Sequence, residues 1–202
     1  MTTIMNTTTA RLGVVILTAA VLTLPVTLSG CGSDDDTSMS DPPAPTSSDP
    51  IHHDDAAVVT IEGVDYGFND VPSSVAAGTR LALRNAAPAE LHELVAFRLP
   101  DGDDITLGDL AQLPAEELGP RLGAPVTVLL QPPGSDEQIV AVGDGTLEEP
   151  GRYVLMCFIP TGADPEEYLA AAAASEGEAP TGVAGGPPHF VNGMYAELQV
   201  DT

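Results

Sequence analysis

The chain of 202 residues contains no lysine, and its six basic residues face 30 acidic ones. A protein this poor in cations has no basic patch with which to neutralise phosphates, so nucleic acid is excluded as a partner. Attachment to anionic lipid through a polybasic segment is excluded for the same reason. The acidic residues all lie beyond residue 30 and are spread along the chain, which reads as solubility rather than as one steering patch. Neither a Ser-His-Asp order nor a glycine-rich phosphate loop occurs, and the carboxylates show no pairing suited to acid–base work, so no enzyme is expected. Cysteine is scarce at two residues and histidine at four. That scarcity gives weight to wherever these residues fall.

The first cysteine belongs to an export signal. Arg11 is followed by an uncharged, apolar or small run from Leu12 to Leu28, then by Ser29-Gly30-Cys31. A short apolar segment behind a basic residue and before small residues is a secretory signal. The run is near the lower limit of about 17 residues for a membrane span, and Pro25 disfavours a retained helix. Leu28-Ser29-Gly30-Cys31 resembles the lipobox of bacterial lipoproteins. The resemblance implies removal of residues 1–30, lipid on Cys31, and a site of action on the outer face of the cytoplasmic membrane. Cys157 would then be the only thiol of the mature chain, without an intramolecular disulfide partner in an oxidising compartment.

Residues 31–56 are acidic and rich in serine and proline, with too few large apolar groups to bury a core, so they read as a disordered tether. His52 and His53 fall in this stretch and read as solvated linker. From Ala57 the pattern turns to β. Val58–Val64, Arg80–Asn85, Leu91–Leu99, Val126–Leu130, Ile139–Val142, Tyr153–Ile159 and Met194–Val200 are short β-prone runs separated by turn residues. Several such strands predict an all-β domain, an antiparallel sandwich or barrel, over residues 57–202. Two helical insertions interrupt it. Leu107, Leu110, Leu113 and Leu118 recur at helical spacing, with a break at Pro114. Asp164 at an N-cap, Pro165 after it, Glu166 and Glu167 in the first turn and an alanine run predict a second helix to Ala174.

The chemistry gathers at His92, Cys157, His189 and Met194. Two imidazoles and a thiolate with a weak axial thioether form the ligand set of a blue-copper electron-transfer site. Cys157 is the strong equatorial ligand, His92 and His189 are neutral imidazole ligands, and Met194 is the weak axial one. Asn85 is a second residue of interest, placed to pin the loop that leads to His92. Met194 shares its strand parity with Ala196, Leu198 and Val200, which points it inward. Met156 alternates to the opposite face and belongs to the core.

Three short segments carry a family resemblance. Gly151-Arg152-Tyr153-Val154-Leu155-Met156-Cys157 resembles the Gly-x-Tyr-x-x-x-Cys segment of plastocyanin-like cupredoxins. Asn85 followed by His92, and His189 spaced from Met194 by four residues, resemble the other ligand segments of that family. The resemblance spans residues 57–202 and implies an antiparallel Greek-key β-sandwich, one type 1 copper, an electron carrier and a redox protein partner. The sequence departs from the family in one respect: 31 residues separate Cys157 from His189. Omitting residues 161–187 restores Cys-x4-His-x4-Met. The inserted stretch has its own helix and a glycine-rich end, and loops of that length tend to be functional or disordered. It reads as a lid beside the metal or as a docking surface. Two other functions stand beside this one: a copper-holding or delivery protein that uses the same site, and a metal-free binding module of this fold that uses the insertion to recognise a partner. A multicopper enzyme is unlike this chain, because it needs more domains and more histidines.

Overall fold

The computed structural model describes residues 56–175 and 178–202. The export signal, Cys31, the His52-His53 pair and nearly all of the tether lie outside the described residues.

Among the described residues, ten strands form two sheets. In chain order they are β1 (Val58–Val64), β2 (Gly67–Asn69), β3 (Ser74–Ala76), β4 (Thr79–Asn85), β5 (His92–Arg98), β6 (Thr127–Gln131), β7 (Ile139–Val142), β8 (Thr146–Leu147), β9 (Gly151–Met156) and β10 (Tyr195–Asp201). The smaller sheet has the order β2-β1-β4-β8 and the larger β3-β10-β9-β5-β6-β7. Inward side chains of both sheets meet in one core. Ile61, Leu81, Leu83 and Leu147 come from the smaller sheet, and Leu94, Ala96, Leu129, Tyr153, Leu155, Leu198 and Val200 from the larger. The architecture is a β-sandwich. The expectation of purely antiparallel strands needs correction at two pairings: β1 runs parallel to β4, and β3 parallel to β10. Each parallel pair is joined through other strands. Alternation along one strand carries no information about its neighbour's direction.

The outer face of the larger sheet is covered as well. Helices α1 (Leu107–Leu110) and α2 (Ala115–Leu122) lay Leu110, Leu118 and Leu122 over Val95, Phe97, Val154 and Met156. Pro114 separates the two helices, as its position predicts, and α2 continues through Pro120 to Leu122. Strands β5 and β9 are therefore buried on both faces, which explains why Leu91–Leu99 and Tyr153–Ile159 read as nearly continuous apolar runs. Full burial of each such aliphatic side chain contributes about 1.5–3 kcal/mol.

Helix α3 (Pro165–Ala174) begins as its sequence predicts, with the Asp164 side chain accepting a hydrogen bond from the Glu167 amide at 2.9 Å. Its segment leaves and rejoins the sandwich at one point. Pro160 and Pro188 face each other across an isolated antiparallel bridge. The Thr161 amide donates to the Pro187 carbonyl at 3.1 Å and the Gly186 amide to the Thr161 carbonyl at 2.8 Å. Gly185 makes this closure possible: a Cβ there would lie 2.5 Å from Cβ of Pro160.

Candidate metal centre

The register of the larger sheet brings the ligand segments to one end. Val95 of β5 and Tyr195 of β10 both pair with Met156 of β9. One step beyond the last residue of β9 is Cys157. One step before the first residue of β10 is Met194, and the Cys157 amide donates to the Met194 carbonyl at 3.2 Å. His92 is the first residue of β5 at the same end, on the parity of Leu94 and Ala96, which face the sandwich interior. Cys157 continues the inward parity of Tyr153 and Leu155. A 3₁₀ turn over His189–Asn192 supplies the second imidazole. That turn is fastened to the cysteine loop twice, by His189 N–H to the Ile159 carbonyl at 3.0 Å and Phe190 N–H to the Cys157 carbonyl at 2.9 Å. It ends at Gly193, whose φ of 111° falls in the region open to glycine, and the Met194 amide donates back to the His189 carbonyl at 3.1 Å.

His92, Cys157 and His189 each offer one donor atom, and these atoms lie within 4.8 Å of one another. All three residues are fully buried. The rings of His92 and His189 meet edge to face, with centroids 5.1 Å apart. Met194 has no exposed surface and packs in the same apolar cluster as Cys157, Leu91, Leu130, Ile159, Ala163 and Tyr168. On β1, Gly63 leaves room for the first imidazole, since a Cβ at that position would approach the His92 ring to 3.2 Å.

Burial without partners makes these imidazoles unusual. Nδ1 and Nε2 of His92 and Nε2 of His189 are buried with no hydrogen-bond partner. Leaving a buried polar atom unpaired costs roughly 1–3 kcal/mol, and native proteins contain few such atoms. Nε2 of His189 does lie 3.4 Å from a carboxylate oxygen of Glu90, but the pair lacks the alignment of a hydrogen bond. Sγ of Cys157 lies 3.4 Å from Nδ1 of His189. This contact and the Glu90 carboxylate beside Nε2 fit the tautomer with its proton on Nε2, which leaves Nδ1 free to accept from the thiol or to bind a metal.

Electrostatics keep the imidazoles neutral. Burial, assisted by His189, lowers His92 to about 4. Burial also lowers His189, against the opposing pull of Glu90. Neutral imidazole is the form that ligates a metal. Cys157 is held well above the usual thiol value, chiefly by burial and next by the charge of Glu93. The thiol is therefore protonated until a cation displaces its proton.

The surrounding residues orient these groups. Nδ2 of Asn85 donates to the Glu90 carbonyl at 2.9 Å and to the Gln131 carbonyl at 2.8 Å, while its Oδ1 accepts from the Ala87 amide at 2.9 Å. It thereby fastens the loop between β4 and β5, which delivers His92, to the end of β6. The sequence reading missed three neighbours. Glu93 is buried between β5 and the cysteine loop, where Oε1 accepts from the Phe158 amide at 2.9 Å and Oε2 from the Tyr168 hydroxyl at 3.0 Å. A charge inside the apolar run Leu91–Leu99 was the available signal for Glu93. The others are Tyr168, from α3, and Tyr66, whose ring meets His189 edge-on with centroids 5.3 Å apart. Tyr66 sits in the β1–β2 turn at φ 61°, a conformation that costs a non-glycine residue energy.

A thiol, two neutral imidazoles and a buried thioether are the soft-to-intermediate donors that suit copper over hard cations. The unpaired nitrogens fit a metal ligand set better than a packed core.

No family model matches the chain, and no curated protein matches it. Among solved structures, the chain is similar to dithionite-reduced auracyanin from the photosynthetic bacterium Roseiflexus castenholzii, at 18% identity and a TM-score of 0.40 over 73% of this chain and 98% of that one. It is similar to auracyanin B at 17% and 0.39, over 73% and 90% of the two chains. It is also similar to auracyanin A, a "blue" copper protein from the green thermophilic photosynthetic bacterium Chloroflexus aurantiacus, at 16% and 0.41, over 73% and 100%.

Proposed function

We propose that this domain is a metal-binding β-sandwich whose cation is copper and, more narrowly, a plastocyanin-like cupredoxin that carries electrons. The observation that carries the reading is the buried cluster of His92, Cys157 and His189 with imidazole nitrogens that have no partner in the protein. When bound, copper supplies a one-electron couple between Cu(II) and Cu(I). The protein's part is to hold two neutral imidazoles and one thiol at the rigid end of a sandwich and to keep water away. It also releases the thiol proton on loading. Met194 is the weak fourth donor and Asn85 steadies the loop before His92. Lipid on Cys31 would hold the domain at the outer face of the cytoplasmic membrane, and a redox protein would exchange electrons with it.

The test is to add Cu(II) to the chain carrying Cys31→Ser, so that Cys157 is the only thiol, and to record the visible spectrum. An intense thiolate-to-copper band that disappears with Cys157→Ser is expected. Copper bound without such a band, or no copper bound, would overturn the assignment.

A further inference from the structure

Described residues of the segment between Cys157 and His189 reach the loops before His92 and around His189 and the apolar cluster that holds Cys157 and Met194. At its base, the Thr161 hydroxyl accepts from Asn192 Nδ2 at 3.0 Å, inside the turn that carries His189. One residue further on, the Gly162 amide donates to Oε2 of Glu90 at 3.2 Å, in the loop before His92. Within α3, Tyr168 turns inward and is buried against Cys157 and Met194, whereas Glu166 and Glu167 of the same helical turn remain exposed. Its hydroxyl reaches Glu93, the neighbour of His92, across 75 residues of chain. The other oxygen of Glu93 holds the amide of Phe158, the neighbour of Cys157.

We infer that Tyr168 is a positioning residue for the metal centre: through Glu93 it latches the Cys157 loop to the strand that carries His92, and the segment over 161–187 is a buttress built around that latch. The reasoning is geometric. Strand pairing between β5 and β9 ends at Val95 and Met156, so beyond that point no ladder holds Cys157 in register with His92. The Glu93 carboxylate takes over where the ladder stops, bridging β5 to the first amide after Cys157. A buried carboxylate with an unfilled acceptor site would draw in water or swing away. The Tyr168 hydroxyl fills that site from the outside. Within the inserted segment, α3 is the element that brings a hydroxyl to this depth. This inference deepens the copper reading and rests on it for its purpose, but the latch itself exists in the metal-free protein.

The test uses the full chain with Cys31→Ser, comparing Tyr168→Phe with Leu169→Ala. The second variant loosens the packing of α3 on the same cluster without touching Glu93. In the metal-free proteins, the rate at which an aromatic disulfide reagent labels Cys157 reports local opening. Tyr168→Phe is expected to raise that rate by about tenfold, the order of effect of one missing partner on a buried carboxylate. Leu169→Ala is expected to raise it less, even where it lowers the melting temperature more. In copper-loaded protein Tyr168→Phe should speed copper release to a chelator by about tenfold and shift the visible band. Equal labelling in Tyr168→Phe and the parent, or an increase no greater than in Leu169→Ala, would overturn the latch. Labelling that responds while no variant binds copper would uphold the latch and overturn the copper assignment instead.

Discussion

The middle of the sandwich and the end that gathers the candidate ligands are built by opposite rules. In the middle, the fully buried residues of both sheets that meet are aliphatic, apart from Tyr153, whose hydroxyl donates to the Glu149 carbonyl at 2.8 Å. At the end, two imidazoles and a thiol are buried just as deeply, and three of the four imidazole nitrogens lack a partner. The middle gains stability from every contact, while the end carries a desolvation cost that only a cation can offset. The contrast teaches where the protein's stability resides and where its chemistry is stored.

The largest effect expected from breaking the comparison is in the middle. Leu81→Ala removes a fully buried side chain between the sheets and should destabilise the metal-free protein by about 2–5 kcal/mol. Denaturant unfolding measures this, and Cys157 ligation of Cu(II) at low denaturant should survive. The opposite behaviour is expected at the end. His92→Leu removes two buried, unpaired nitrogens at nearly constant volume, so the metal-free protein should gain roughly 1–3 kcal/mol while the copper band is lost. If His92→Leu destabilises the protein as Leu81→Ala does, the two regions obey one rule and the metal assignment loses its energetic basis.

A smaller effect is expected from Asn85, which stands between the two regions. Asn85→Ala removes donors to the Glu90 and Gln131 carbonyls and an acceptor for the Ala87 amide. A loss of about 1–2 kcal/mol should follow, together with faster copper release than in the parent. Leu81→Ala, although more destabilising, should leave the release rate nearly unchanged. Stopped-flow transfer of copper to a chelator separates the two variants.

What could be read in advance follows the same division. Strands β1, β4 and β7 stand close to where their alternation and turn residues put them, because those signals are local. The doubly covered β5 and β9 were also visible as apolar runs. The two-residue β8 and three-residue β2 and β3 were not, since so short a strand is defined by its partner rather than by its own pattern. The parallel pairings of β1 with β4 and β3 with β10 depend on topology, which one sequence does not encode locally. The site divides similarly. Donor identity and order were legible because copper demands particular atoms, and His92, Cys157 and His189 do converge. Glu93 and Tyr168 were not, because a hydrogen bond between residues 75 apart leaves no periodic trace. In an alanine-rich helix with acidic residues in its first turn, Tyr168 also looks like one more surface position.

The smallest expected effect sharpens the contrast within the site itself, between His92 and its neighbour Glu93. Burial, opposed by the Phe158 amide and the Tyr168 hydroxyl, raises Glu93 from the usual 4.5 to about 7. Its contribution to stability is therefore present below about pH 4.5 and is lost as pH rises through about 7. Burial lowers His92 from 6.5 to about 4, so its contribution is present above about pH 6.5 and is lost as pH falls through about 4. Glu93 and His92 act in opposite directions over nearly the same window, while His189, also lowered by burial, adds to the His92 slope. The metal-free protein should therefore show a stability that rises with pH between about 4.5 and 6.5, but less steeply than the histidines alone would make it. Single substitutions should uncover each slope. Glu93→Gln leaves the histidine, so stability should climb with pH across that window. His92→Leu leaves the carboxylate opposed only by His189, so the slope across that window should fall below the parent's. Denaturant midpoints measured at half-unit pH intervals distinguish these profiles. Slopes that do not move in opposite directions from the parent's in the two variants would mean that the two neighbours do not titrate as an opposed buried pair.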